Sequence, residues 1–348
     1  MIISILCRHE PIETDIIIIG AGPVGLFTVF EAGLLKLRCH LIDALAQPGG
    51  QLTEIYPKKP IYDIPGFPDV LAGDLIDNLM KQAAPFKPGF TLGERAEKIE
   101  QLNDNKFRVT TDHGTVHVAP NIAIAGGLGC FEPRKPPIAN IGDYENKGID
   151  YIIKDPEKFR NKRVVIAGGG DSALDWTIFL KDVAAEVTII HRRTQFRGHL
   201  DSVQKVMDMD ARKEIQLIVN SEVVELKSNS DGTQLGAVGI ATDGVEGLNW
   251  VDCDYFLPLF GLSPKLGPIA DWGLNIDKAA IEVNTFDYST NIPGIYAIGD
   301  INTYPGKLKL ILCGFHEATL MVQSAFKRIY PNKNNVLKYT TVNGVQGF

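Results

Sequence analysis

Two short stretches of this chain have the residue types and spacing to hold phosphate. GAGPVG (20–25) follows four consecutive isoleucines, and GGGDSA (168–173) follows RVVIA (163–167). In each, an apolar run suited to a strand buried on both faces breaks at glycines and resumes as an amphipathic segment, which reads strand, tight turn, helix. Gly20 makes the turn, Gly22 lets a pyrophosphate approach the backbone, and Gly25 lets the helix pack on the strand. Gly168, Gly170 and Ala173 take the same three places in the second copy, with Asp171 and Ser172 opening its helix. The helix N-terminus turns N–H groups and the positive end of its dipole toward the phosphates.

The end of the following strand indicates which nucleotide each turn takes. CHLID ends on Asp43 and EVTIIHRR (186–193) reaches His191, each 23 residues after the first glycine of its motif. A carboxylate there accepts hydrogen bonds from free ribose hydroxyls, so Asp43 suits FAD, whose adenosine ribose carries no phosphate. The second copy lacks the acid and has His191, Arg192 and Arg193, with Arg197 about one turn beyond. Guanidinium forks match phosphate oxygens, so this strand end suits the 2′-phosphate of NADPH. The bland alternative is that HRRTQFR is a solvated basic loop; its place at a Rossmann strand end favours the phosphate site. One such glycine motif is weak evidence, since ordinary α/β turns also contain it. Two copies in the same setting with equal offsets predict an α/β protein with two Rossmann-like dinucleotide-binding domains.

The rest of the chain leaves room for both domains. Its 348 residues allow about two domains of roughly 150 each. The 34 glycines exceed the usual share of roughly 7%, while hydrophobic and charged contents of 45% and 22% are those of a globular protein, so disordered and fibrous classes are excluded. Five cysteines, at 7, 39, 130, 253 and 313, stand too far apart for a disulfide scaffold, a zinc site or a Cys-x-x-Cys redox pair. The histidines show no metal-ligand spacing, and there is neither a Gly-x-Ser-x-Gly elbow nor a Walker lysine, so no metal, hydrolytic or phosphoryl-transfer chemistry is expected. A net charge of −7 argues against a nucleic-acid or anionic-membrane partner. No apolar run reaches the roughly 18 residues of a membrane span, and MIISILCRHE carries no basic region or cleavage site, so the chain is expected to be cytoplasmic and unprocessed.

Two loop-rich stretches remain. QPGGQLTEIYPKKPIYDIPGFP (47–68) is too patterned for a linker, and GIYAIGDINTYPGKLKL (294–310) reads as a strand closing on Gly299 and Asp300, then a turn and a helix to about Ile329. Asp300 at that strand end either meets a ribityl hydroxyl or serves as a plain helix N-cap.

Taken in order, GAGPVG, GGQL, IYDIPGF, GGGDSA, HRRTQFR and GIYAIGD resemble the thioredoxin-reductase-like flavoproteins across nearly the whole chain. The departure identifies the branch. Thioredoxin reductases carry a Cys-x-x-Cys pair before the second glycine motif, and here GIDYIIKDPEKFRNKR (148–163) holds no cysteine. The sequence is instead similar to the ferredoxin (flavodoxin)–NADP reductases of that fold, through GGGDSALDW, TEIYPKKPIYD, GCFEPRKPP, YPGKLKL and an added aromatic tail.

The resemblance implies FAD contacts from Asp43, Gln51, Tyr56, Ala96, Phe131, Asp300 and Thr340. Tyr56 would stack on one flavin face, and Tyr339 from a homodimer partner's tail would cover the other. The alternatives are a core aromatic for Tyr56 and a frayed terminus for Tyr339. The second domain would be inserted in the first, giving residues 1–130 and 259–348 for FAD and residues 131–258 for NADPH, with hinges near 125–133 and 257–264. Hydride would pass between NADPH and FAD, and electrons would pass singly to or from ferredoxin or flavodoxin, with no acid–base side chain strictly required. Lys58, Lys59, Arg134, Lys135, Lys307 and Lys309 would dock an acidic carrier, or are ordinary surface charge. Two rival readings remain. One is a flavin monooxygenase, although its Phe-x-Gly-x-x-x-His sequence is absent; the other is a non-catalytic NADPH-sensing flavoprotein.

Overall fold

A computed structural model describes residues 10–127, 129–333 and 340–348. In chain order the elements that position the glycine turns begin with β1 (Ile16–Ile19), α1 (Pro23–Leu34), β2 (Cys39–Asp43), α2 (Ala72–Ala83), β3 (Gly89–Leu92) and β4 (Asn121–Ile124). There follow β5 (Arg163–Ala167), α3 (Asp171–Leu180), β6 (Glu186–His191), α4 (Leu200–Ala211), β7 (Gln216–Val219), β8 (Tyr255–Pro258), β9 (Ile295–Ala297) and α5 (Ile311–Ile329). The chain divides into two compact units, one taking residues up to 130 and from 264, the other residues 131–263.

The first unit is built on a parallel sheet of order β9-β4-β1-β2-β3. β1 runs through its middle, which is why it is an unbroken isoleucine run: a strand covered on both faces has no polar side. Ile16 and Ile18 pack with Leu26 and Val29 of α1, Leu75 of α2 and Met321 of α5. Ile17 and Ile19 face the other way, onto Phe107 and Val109. Those two belong to a four-stranded sheet in which Ala96–Gln101, Phe107–Thr111 and Val116–Ala119 run antiparallel and Ile12–Glu13 joins Val116–Ala119 in parallel.

The second unit repeats the plan with a parallel sheet of order β7-β6-β5-β8, the counterpart of β3-β2-β1-β4. The likeness extends past the glycine turns. In both units an antiparallel sheet lies in the crossover into the last of these four strands: Ala96–Gln101 to Val116–Ala119 before β4, and Ser221–Ser228, Leu235–Thr242 and Asn249–Asp252 before β8. The second unit runs on to residue 263 rather than ending at 258. The physical reason is at Leu259, whose N–H donates to the Ala167 carbonyl (2.8 Å) and whose own carbonyl oxygen lies 2.7 Å from where a Cβ on Gly168 would stand. The strands Cys130–Pro133 and Leu262–Lys265 pair as a ribbon where the chain crosses between units.

A buried polar chain in the first unit makes stability depend on pH. Thr91 Oγ1 on β3 lies 2.8 Å from His40 Nε2 on β2 and 2.9 Å from His117 Nε2 on the antiparallel sheet. One hydroxyl can bridge the two rings by donating to one and accepting from the other, which needs at least one neutral imidazole. Burial first, then the neighbouring His40, bring His117 down to about 4, and burial also lowers His40. In the unfolded chain a histidine binds its proton near pH 6.5, and the folded His117 does not. The stabilisation is therefore complete above about pH 6.5 and is lost as pH falls toward 4, by on the order of 2 kcal/mol. Thermal melts between pH 7 and pH 4.5 should show the wild type losing more stability than His117→Gln. Equal losses would contradict this account.

Candidate nucleotide sites

In the first unit, β1 ends at Gly20, whose φ of +109° puts it where side chains are strained, and a Cβ there would stand 2.4 Å from the Ala125 carbonyl oxygen. A Cβ on Gly25 would stand 2.0 Å from the Gly20 carbonyl oxygen, so helix and strand meet only if this residue is glycine. Gly22 differs from both: a Cβ on it would meet nothing within 4 Å. It is the N-cap of α1, and no side chain caps that helix. Two glycines thus serve close packing, and the third leaves an open approach to unsatisfied first-turn N–H groups. That is a cradle suited to a pyrophosphate.

The loop after β2 is laced to this turn. Gly49 N–H donates to the Ala21 carbonyl (2.8 Å), and the Cβ position of Gly50 is 3.3 Å from Gly22 Cα. Gln51 follows directly, and its Nε2 is 3.6 Å from the Cβ position of Gly127. Asp43 is fastened to the same turn, Oδ2 accepting from Ala21 N–H (2.7 Å) and Oδ1 from Leu45 N–H (2.9 Å). Burial pushes its carboxyl above the ordinary range and these two donors oppose the rise. Each oxygen keeps a lone pair for a ribose hydroxyl.

Asp300 lies in the turn Gly299–Ile301 after β9. It does not cap α5, whose N-cap is Leu310, so the N-cap alternative is set aside. Burial raises the Asp300 carboxyl, and Lys307 and Lys309 draw it back. Tyr56, half-buried, has its phenol raised by burial first and by the Asp300 charge second, so the two groups share one neighbourhood of the first unit. Ala96 is a buried core residue paired across strands with Thr111. Phe131 belongs to the strand Cys130–Pro133. Its side chain, like the whole of Tyr339, lies outside the described residues. Thr340 is exposed and opens the short helical turn Thr340–Asn343. The tail's end sits on its own unit: Phe348 N–H donates to the Pro85 carbonyl (3.1 Å) and Lys36 Nζ to the Gln346 carbonyl (2.7 Å). Lys36 follows the C-terminal end of α1, a helix about 18 Å long whose other end is the Gly22 turn.

Of the basic residues expected to face a partner, Lys307 is a correction. Its ammonium is buried against the Glu317 carboxylate, with side-chain exposures of 6% and 0%, so it offers no surface charge. Lys135 is exposed but paired with Glu145 at 2.6 Å, Lys59 Nζ lies 5.7 Å from the Tyr56 ring centroid, and Lys58 and Lys309 are exposed.

In the second unit the same division of labour recurs. A Cβ on Gly168 would stand 2.7 Å from Ala173 Cβ, and one on Gly170, the N-cap of α3, would meet nothing within 4 Å. A further small residue, Gly169, is needed because a Cβ there would stand 2.1 Å from the His191 ring. Only the neighbouring strand end shows why. His191 Nε2 is 3.0 Å from the Gln195 carbonyl oxygen, and its ring stacks on Phe196 at 4.6 Å. Arg197 N–H donates to the Gly169 carbonyl (2.7 Å). Asp171 Oδ1 accepts from His199 N–H (2.6 Å), so this carboxylate ties the loop to the first turn of α3. Ser172 leaves an exposed hydroxyl on the first turn of α3. The loop is thereby pinned to the turn at several points, and Arg192, Arg193 and Arg197 are exposed with no ion pair or side-chain hydrogen bond to a described residue.

Among the described residues no dithiol accompanies these sites. Cys39, Cys253 and Cys313 are free, and burial pushes Cys253 up to about 12 and Cys39 higher, away from thiolate chemistry. The described residues hold no group of three or more metal-binding side chains and no helix long and apolar enough to cross a membrane.

Two turns of one design, one backed by an acid and the other by free arginines, define a two-nucleotide oxidoreductase. Its fold is that of thioredoxin reductase. The enzyme of Lactococcus lactis superposes with a TM-score of 0.77 at 24% identity, covering 91% of this chain and 99% of that one. The thioredoxin reductase of T. acidophilum gives 0.78 at 22% identity, covering 91% and 99%. The model of the pyridine nucleotide-disulphide oxidoreductase family matches residues 14–321. A ferredoxin–NADP reductase of Christiangramia forsetii is 67% identical over 339 residues, 97% of this chain and 95% of its own. That of Flavobacterium johnsoniae is 65% identical over 338 residues, with coverage of 97% and 95%. The chain belongs to the pyridine nucleotide-disulphide oxidoreductase family, in its ferredoxin–NADP reductase branch, with FAD and NADP(H) as cofactors.

Proposed function

We propose that this chain is a ferredoxin–NADP reductase, with flavodoxin as an alternative carrier, acting as a cytoplasmic homodimer. The observation that carries the reading is the pair of phosphate turns with opposite ribose partners, Asp43 in one and Arg192 and Arg193 in the other, in a chain with no dithiol at 148–163. The first unit binds FAD: the Gly20, Gly22 and Gly25 turn takes the pyrophosphate, Asp43 the adenosine ribose and Asp300 the ribityl chain. Gln51 and Tyr56 flank the flavin ring, Ala96, Phe131 and Thr340 complete the cleft, and Tyr339 reaches in from the partner subunit's tail. The second unit binds NADPH over Gly168, Gly170 and Ser172, with Arg192, Arg193 and Arg197 on the 2′-phosphate and Asp171 holding their loop.

FAD supplies the chemistry when bound, taking a hydride from the nicotinamide and releasing electrons one at a time. The chain's part is to bind both nucleotides, discriminate the 2′-phosphate and present a docking face through Lys58, Lys59, Arg134, Lys135 and Lys309. Free cysteines at the described positions fit a reducing compartment. The test is cytochrome c reduction with NADPH, with and without added ferredoxin. Turnover that rises with ferredoxin supports the reading. A flavin-loaded protein that consumes NADPH while cytochrome c reduction does not change on adding ferredoxin contradicts it.

A further inference from the structure

Behind the Asp300 turn lies a buried ion pair that neither phosphate turn requires. Glu317, nearly two turns into α5, is fully buried. Its Oε2 accepts from Gly299 N–H (2.6 Å) and Asn302 Nδ2 (2.8 Å), and its Oε1 accepts from Tyr304 Oη (2.9 Å) and from Lys307 Nζ. All four donors come from residues 299–307, the segment that carries Asp300. A buried carboxylate and ammonium persist only when paired and fully hydrogen-bonded, and an apolar pair of similar volume serves stability as well or better. The ion pair adds placement and charge.

Placement comes from Val24, on the first turn of α1. A Cβ on Gly299 would stand 3.3 Å from Val24 Cγ2, and one on Gly314 of α5 would stand 2.4 Å from it. Glu317 therefore clamps the Asp300 turn against the helix start that holds the Gly22 cradle. The charge effect comes from Lys307, which acts electrostatically on Asp300 and whose own charge Glu317 balances.

We infer that Glu317 and Lys307 are a positioning pair for the flavin: Glu317 holds the Gly299–Asp300 turn in place, and the balance of charge within the pair sets the flavin's reduction potential. The inference rests on the reading that FAD lies along this turn. Glu317→Gln leaves the Lys307 charge unbalanced, which favours electrons on the flavin and raises its midpoint potential. Lys307→Met leaves the Glu317 charge unbalanced and lowers it. The double variant returns toward wild type. Gly299 and Asn302 also lose their charged acceptor in Glu317→Gln, so FAD affinity falls by about tenfold or more.

The experiment measures FAD dissociation and, by equilibration with redox dyes, the midpoint potential of the flavin-loaded wild type and all three variants. Opposite shifts in the single variants support the pair's role, since a purely structural clamp would not reverse sign with the charge removed. Shifts in one direction, or none, overturn it. If Glu317→Gln does not fold, Lys307→Met decides alone, and an unchanged or raised potential overturns the inference. A wild type that purifies and reconstitutes without FAD would overturn the functional reading instead.

Discussion

Replacing Gly25 by valine should give a chain that no longer holds flavin and melts far below the wild type. A Cβ there would stand 2.0 Å from the Gly20 carbonyl oxygen, a backbone atom in a turn already fixed by the 2.4 Å approach of its own Cβ position to Ala125. Neither neighbour is a flexible side chain that can step aside. Relief requires α1 to move off β1, which opens the cluster holding Ile18, Leu26 and Val29 and costs several kcal/mol, about 3 or more. Flavin content per chain should fall to roughly a tenth or less. Gly22→Ala is the informative companion. Its φ of −72° suits any residue and its Cβ enters open space, so the fold should persist with a melting temperature within about 3 °C of wild type. Flavin affinity should nonetheless drop, because the added methyl occupies the approach to the helix N-terminus. Equal loss of fold in both variants would mean that the turn is a packing feature only.

Removing the two arginines at the end of β6 should reverse the choice of nicotinamide nucleotide. Arg192 and Arg193 are exposed, have no partner among the described residues, and stand on a loop pinned to the second phosphate turn. Each charge-assisted bond to a phosphate contributes about 1.5 kcal/mol or more, so losing both should lower kcat/KM for NADPH by about 100-fold. NADH has no 2′-phosphate, and its kcat/KM should change by less than about threefold. Arg192→Ala/Arg193→Ala assayed with both nucleotides reads this ratio directly. Equal losses with both would place the arginines outside phosphate recognition.

How much of this was legible beforehand follows from which residues carry long-range information in their type. Small-residue spacing marked both phosphate turns, because close approach of strand, helix and phosphate leaves little room for a side chain, and the strand ends at Asp43 and His191 followed from it. The antiparallel crossovers were not legible: FRVTT alternates like any half-exposed strand, AEKIEQ has its apolar residues three apart and does not alternate at all, and neither run names its partner strand. Glu317 sits in HEATL, which reads as the solvent side of a helix, and nothing local shows that four donors from residues 299–307 converge on it. Lys307 reads as surface charge for the same reason: its partner, Glu317, lies on the following helix. Asp171 opens a helix, and nothing local shows that its partner, His199, lies 28 residues away in sequence. The need for glycine at 169 arises from the His191 ring on the neighbouring strand.

Passage of electrons from NADPH through a bound flavin to a one-electron carrier can be followed in a single experiment. The flavin-loaded protein is mixed rapidly and anaerobically with NADPH, then with oxidised ferredoxin. NADPH should bleach the flavin absorbance much faster than NADH does, and ferredoxin should restore the absorbance as it becomes reduced. A flavin that bleaches equally with either nucleotide, or that stays bleached when ferredoxin is added, would contradict this route.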